Sequence, residues 1–239
     1  MIASYNHVYK VTHKTEHKVH GPIGVSIYED TPIACFQYEF LALSADAQSV
    51  MDAVLAYPVP DDKHYILDVF HPSPSDPALK NQFTKYAHEF VLTGPILGLE
   101  LPTEAAPNPS NVHQVSTIQE AEIANHNLTT EGERICLQTL RDRHIHTFYV
   151  DHEAEPVGWL QLVTKYPKVG YINQLYLLKN YRKQKCGSAL IQRARTSNGT
   201  WDKTYGCDPI RQAMQLYRRF GYQPLLYFSA FQPSGGYHE

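Results

Sequence analysis

The sequence predicts an α/β protein in two units, and three observations predict it. Residues 171–191, YINQLYLLKNYRKQKCGSALI, read as a strand, a polar and basic turn, and a helix. Along the rest of the chain, apolar runs of strand period alternate with runs of helix period, as in a mixed sheet flanked by helices. Residues 102–110, PTEAAPNPS, hold three prolines and little apolar content, as a linker does. The expected division is a smaller α/β domain at 1–106 and a second α/β domain at 111–239.

In the first unit, residues 5–11 and 24–28 are expected strands with His- and Lys-rich turns between them. Residues 33–43, IACFQYEFLAL, are a long aromatic and aliphatic strand. Ser44 is the expected N-cap of a helix over 45–56 that stops before Pro58. A strand at 65–70 leads into the rigid turn PSPSDP. A helix is expected over 78–92, stopped by Gly94 and Pro95, with one more strand at 96–101.

The second unit opens with a short strand at 112–115. A helix to about 126 follows, with Thr117 and Glu120 spaced as a capping box. Residues 127–130 are a loop, and 132–143 a second helix carried by Ile135, Leu137 and Leu140. Residues 145–150 and 157–164 form a hairpin, and 167–170 turn the chain into the strand at 171. After the helix from 187 to 195 come a strand at 203–207, a helix at 210–220 and a strand at 225–231.

Composition narrows the function classes. Hydrophobic residues make up 43% of 239 and charged residues 19%, as in a globular protein, and a net charge of −3 gives no bias toward nucleic acid or anionic lipid. No apolar run is long enough for a transmembrane helix, and MIASYNHVYK is not a signal peptide. Cys35, Cys136, Cys186 and Cys207 form no Cys-x-x-Cys pair and read as reduced thiols of a cytoplasmic protein. No metal is expected. His144 and His146 share a strand face, but no third ligand stands at a diagnostic spacing, and His7, His13, His17 and His20 have no metal-site spacing either.

The turn at 179–188 carries the candidate chemistry. A turn that feeds a helix N-terminus gathers backbone N–H groups with no intrahelical partner, and the helix dipole adds positive potential, so the place suits a phosphate. Gly187 permits close approach to the backbone, and Arg182, Lys183 and Lys185 add positive charge. An ordinary strand-to-helix turn with solvated cations fits the same residues.

This stretch resembles motif A of the GNAT superfamily of acyl-CoA-dependent N-acyltransferases: Arg182, Lys185 and Gly187 stand at its fixed positions, with Lys185 in place of the first glycine. Ala213, Leu216, Tyr217, Phe220, Gly221 and Tyr222 in AMQLYRRFGY resemble motif B. The resemblance covers about 111–232, and the order of elements there is that of the GNAT fold. It implies acetyl-CoA as acyl donor and a primary amine of a small molecule or peptide as acceptor. It implies that Arg182, Lys183, Gln184, Lys185, Cys186, Gly187 and Ser188 hold the diphosphate. Leu175, Tyr176 and Leu177 would pair with the pantetheine arm, in a gap where this strand parts from 203–207, and a backbone N–H there would polarise the thioester. Tyr217 takes the place of the general acid for the leaving thiolate, although a core tyrosine also fits its position. No base is assigned: Asn173 and Gln174 cannot serve, and His144, His146 and Glu133 have no support.

Lys185 in the place of glycine and the lack of a glutamate base leave a second reading open, a non-catalytic acyl-CoA sensor or interaction module on the same scaffold. A third is a purely structural domain. The elements of 33–101 repeat the order of those in 171–231, which suits a diverged duplicate. SADAQSVMDAV, the counterpart of the basic turn, has no glycine and no cation and would repel a diphosphate.

Overall fold

A computed structural model describes residues 16–28, 37–73, 76–100, 107–128, 134–166, 169–196, 203–207 and 211–235. The strand expected at 5–11, the start of that at 33–43, most of the linker, Cys35 and Glu133 lie outside these residues. The chain divides into two compact units. One contains the described residues of 97–223, the other those of 13–96 and 224–239. The expected boundary kept 111–239 together, whereas the last strand belongs with the N-terminal residues and the strand through 97 crosses from one unit to the other.

The unit of 13–96 and 224–239 begins with β1 (Glu16–His20) and β2 (Ile23–Ile27), an antiparallel hairpin turned at Gly21, whose φ of 57° suits glycine. β1 has an exposed, charged pattern and gave no apolar signal as a sequence. β3 (Tyr38–Ala42) pairs antiparallel with β2. Helix α1 (Ala47–Ala56) then crosses to β4 (Tyr65–His71), which runs parallel to β3. Asp46, rather than Ser44, caps α1: its carboxylate accepts from Gln48 N and Ser49 N.

Helix α2 (Pro77–Thr84), with Asp76 as N-cap and Pro77 in its first turn, is shorter than the sequence suggests. Ala87 takes φ 56° just beyond it, and β5 (His88–Glu100) begins at once. The aromatic and β-branched content of HEFVLT suits a strand, and Gly94 and Pro95 lie inside that strand instead of stopping a helix. β11 (Gln223–Pro233) pairs antiparallel with β4. One sheet face packs Phe40, Leu67, Val69 and Phe231 against Val50, Met51 and Val54 of α1 and Phe83 of α2.

On the other face of that sheet, Glu39 is buried and accepts a hydrogen bond from the Tyr28 hydroxyl. Asp68, on the neighbouring strand, hydrogen-bonds Glu39. Burial, and then the Glu39 charge, push the Asp68 carboxyl well above the usual range. Burial also raises Glu39, against the hydrogen bonds from Tyr28 and Asp68. The pair therefore holds a proton above the pH at which exposed carboxylates lose theirs.

In the unit of 97–223, β6 (Val112–Val115), β7 (Ile145–His152), β8 (Glu155–Tyr166) and β9 (Val169–Leu177) form an antiparallel meander, and β10 (Lys203–Cys207) runs parallel to β9. Glu153 and Ala154, both with positive φ, make the tight β7–β8 turn. Helix α3 (Ile118–Leu128) has the expected capping box: Glu120 accepts from Ser116 N and Thr117 N, and Glu120 N donates to Thr117 Oγ1. Among the described residues of the helix expected over 132–143, only a 3-10 turn forms, Leu137–Arg141. The Asn125 carboxamide takes both backbone groups of Ile135, at 2.7 and 3.0 Å, and holds the segment extended.

Helix α4 (Cys186–Thr196) follows β9, and α5 (Arg211–Arg219) follows β10. One face of this sheet packs Phe148, Leu160, Leu162 and Ile172 against Leu190, Ile191 and Ala194 of α4 and Tyr217 of α5. The other packs Trp159 against Ala121 and Ala124 of α3 and Ile135. The result is a mixed sheet flanked by helices.

Candidate active site

β9 is held by β8 along its length, through Gly158↔Leu177, Trp159↔Tyr176 and Leu160↔Leu175. Its pairing with β10 stops at Ile172↔Gly206. Among the described residues, 173–177 therefore pair with a strand on one side only, and their peptide groups turned away from β8 have no strand partner there. A bulge interrupts the β8 register between Gln161 and Leu162, opposite Asn173, and re-aims that side chain onto Gln161. Leu175 and Leu177 pack on the α4 side, with the cluster that contains Cys186 and Tyr217. Tyr176 faces the other side with Trp159.

A 3-10 turn, Lys179–Tyr181, leads off β9, and the Arg182 guanidinium folds back to Leu177 O at 3.3 Å. Lys183 and Lys185 both take left-handed backbone, φ 66° and 68°. Left-handed backbone costs an L-residue roughly 1–2 kcal/mol, which explains why glycine suits position 185. Alternating it with ordinary backbone turns successive N–H groups to one side, the geometry of an anion nest. The helix start adds the N–H groups of Gly187 and Ser188, which have no intrahelical partner. Arg182, Lys183, Gln184 and Lys185 are exposed, and no carboxylate among the described residues forms an ion pair with the three cations.

Gly187 also has a packing reason. A Cβ there would lie 2.9 Å from Leu216 Cδ2 and 3.0 Å from Leu177 Cδ1. The glycine lets α4 pack against β9 and α5. Cys186 is buried, and burial raises its thiol pKa, so it stays a neutral thiol.

Tyr217 is 2% exposed, in the α4-side core. Tyr222 N donates to Tyr217 O and Gly221 N to Arg218 O, and Gly221 has φ 87°. This is a Schellman ending of α5, completed by the edge-on contact of the Tyr217 and Tyr222 rings at 5.1 Å. The spacing Tyr-x-x-x-Gly-Tyr therefore encodes a helix stop, and the stop fixes where the Tyr217 ring sits.

Neither β9 amide is a base, and His146 is held by Thr164 with its pKa lowered, chiefly by burial. Among the described residues no three His, Cys, Asp or Glu are placed to hold a metal, and no helix is long and apolar enough to cross a membrane. Sequence reading weighed Asn173 only as a base and passed over Gly158. The pair Asn173-Gln174 in an otherwise apolar strand was the available signal for the bulge.

Residues 143–224 match the family profile described as an acetyltransferase (GNAT) domain. Residues 143–224 are a GNAT domain. The parted strands, the basic turn and the Schellman-ended helix all fall within it.

Solved structures share the fold over nearly the whole chain. A GCN5-related N-acetyltransferase from Kribbella flavida is similar with a TM-score of 0.72 and 17% identity, over 98% of this chain and 95% of that one. A GCN5-related N-acetyltransferase from Sphaerobacter thermophilus gives 0.57 and 13%, over 90% and 81%. A tandem GNAT protein from the clavulanic acid biosynthesis pathway gives 0.55 and 10%, over 91% and 79%. No curated protein matches the chain by sequence.

Proposed function

We propose that the protein is an N-acyltransferase that moves an acetyl group from acetyl-CoA to a primary amine of a small molecule or peptide. The observation that carries this reading is the parting of β9 from β10 beyond Ile172, next to a turn with unpaired cations and N–H groups. The diphosphate would lie on the turn of Arg182, Lys183, Gln184, Lys185, Cys186, Gly187 and Ser188. The pantetheine arm would pair with the peptide groups of Leu175, Tyr176 and Leu177.

The amine nitrogen, neutral after losing its proton to solvent, attacks the thioester carbonyl carbon. The C–N bond forms and the C–S bond breaks; the Tyr217 hydroxyl gives its proton to the leaving thiolate, and the proton the nitrogen sheds on becoming an amide returns through solvent to the Tyr217 phenolate. A phenol with pKa of about 10 is protonated at neutral pH and suits this role. The absence of a carboxylate at Asn173 and Gln174 favours the second reading, an acyl-CoA sensor. Melting with acetyl-CoA, together with thiol release across an amine panel, separates the two. A melting shift with no thiol release from any amine would leave the sensor.

The first unit, 1–106, is proposed as a diverged copy that binds no coenzyme. β2, β3, α1 and β4 repeat the antiparallel-then-parallel order of β8, β9, α4 and β10, and the likeness to the tandem protein supports this. A cytoplasmic location fits the free buried thiol of Cys186.

A further inference from the structure

On the α3 side of the sheet in 97–223, one row carries buried uncharged polar side chains. Val115, Thr147, Gln161 and Gln174 are register partners across β6, β7, β8 and β9. Thr147 is 1% exposed and Gln161 2%. Thr147 Oγ1 has no hydrogen-bond partner among the described residues. Gln161 Oε1 accepts from Asn173 Nδ2 at 3.1 Å, which fixes the Gln161 carboxamide and leaves its NH₂ as a donor.

Directly paired residues hold their Cβ atoms about 5 Å apart, so the two side chains adjoin, yet they do not bond each other. Both can donate, and an oxygen with two lone pairs placed between them would satisfy both. The row ends at half-buried Asn173 and exposed Gln174, beside the last β9–β10 pair, Ile172↔Gly206. It contains no Lys, Arg or His, so a carboxylate there would be buried without a counter-charge, whereas a neutral carbonyl would not.

We propose that Thr147 and Gln161 receive a neutral carbonyl oxygen of the acceptor, so that the acceptor class is an amine that also carries an amide or peptide carbonyl. This rests on the acyl-transfer reading above. Thr147→Val keeps the side-chain shape and removes the hydroxyl. Gln161→Met does the same for the carboxamide.

The test compares kcat/KM for phenylalaninamide and phenethylamine, with acetyl-CoA as donor and thiol release as readout. The difference in basicity between the two amines is common to all enzymes and cancels when their ratios are compared. Each variant should lower the amide-to-amine ratio about tenfold while keeping the acetyl-CoA melting shift, and Thr147→Ser should restore the ratio. Equal ratios in wild type and both folded variants would overturn the inference and leave Thr147 with a buried water only. Thiol release from neither amine, with the melting shift present, would overturn the acyl-transfer reading and this inference with it.

Discussion

Gly158→Ala tests whether the end of β9 carries the coenzyme arm. A Cβ at 158 would stand 2.4 Å from Leu177 Cδ2, 2.5 Å from Tyr176 O and 3.2 Å from Leu177 Cα, where ordinary contact begins at 3.4 Å. The leucine methyl can rotate away, but the carbonyl oxygen cannot. Relief requires β8 and β9 to part by about 0.9 Å at Tyr176. Overpacking of this kind costs typically 1–3 kcal/mol, and the backbone contact puts this case near 3. Binding geometry tolerates about 0.5 Å, so the pantetheine hydrogen bonds along 175–177 should be lost as well. Two bonds at about 1 kcal/mol each correspond to roughly 30-fold weaker CoA binding.

Calorimetry with CoA and thermal melting give the two readouts. Gly24→Ala is the matched control, because its Cβ meets nothing nearer than 3.6 Å; it should be neutral or raise stability by up to about 0.5 kcal/mol. If Gly158→Ala melts and binds CoA as the wild type does, the packing argument is refuted. If it melts early but binds CoA normally, the arm does not lie on 175–177.

Tyr217→Phe should lower kcat roughly 10²- to 10⁴-fold with CoA affinity kept, and unchanged turnover would remove the general-acid role. Lys185→Gly should raise stability by about 1 kcal/mol through relief of left-handed backbone, and a lower melting temperature would count against that strain. Gly187→Glu should destabilise the fold by several kcal/mol, because its side chain meets Leu216 and Leu177; a folded variant with wild-type melting would contradict this. The raised native pKa values of Glu39 and Asp68 mean that the folded chain binds more protons than the unfolded chain. Their contribution is fully present below the ordinary carboxylate range and falls as pH rises from that range through the raised values. Melting against pH should show this decline, and Asp68→Asn should flatten it; a wild-type slope in the variant would reject the pair as its source.

The features that sequence reading captured are local ones. The capping box of α3 and the strand, basic turn and helix of the GNAT motif involve residues within a few positions of one another. The Schellman stop after Tyr217 is equally local, although it was read only as a family spacing. What escaped depends on distant partners. Asn125 holds Ile135 extended against its helical pattern. β5 is a strand because it has sheet neighbours, despite Gly94 and Pro95. Gly158 looked like any strand glycine, since the carbonyl it makes room for is eighteen positions on. The assignment of 224–239 to the N-terminal unit has no local signal at all.

Asp46 gives the start of α1 a built-in occupant. Its carboxylate already takes Gln48 N and Ser49 N, and Ser49 Oγ as well at 2.6 Å. An internal group held there permanently outcompetes a free phosphate ester at millimolar concentration, because it gives up no translational freedom on binding. Among the described residues, the beginning of α4 has no such tenant. Added coenzyme should therefore be visible to hydrogen exchange at one helix start only. The amides of 185–190 should slow, and those of 47–51 should keep their rate.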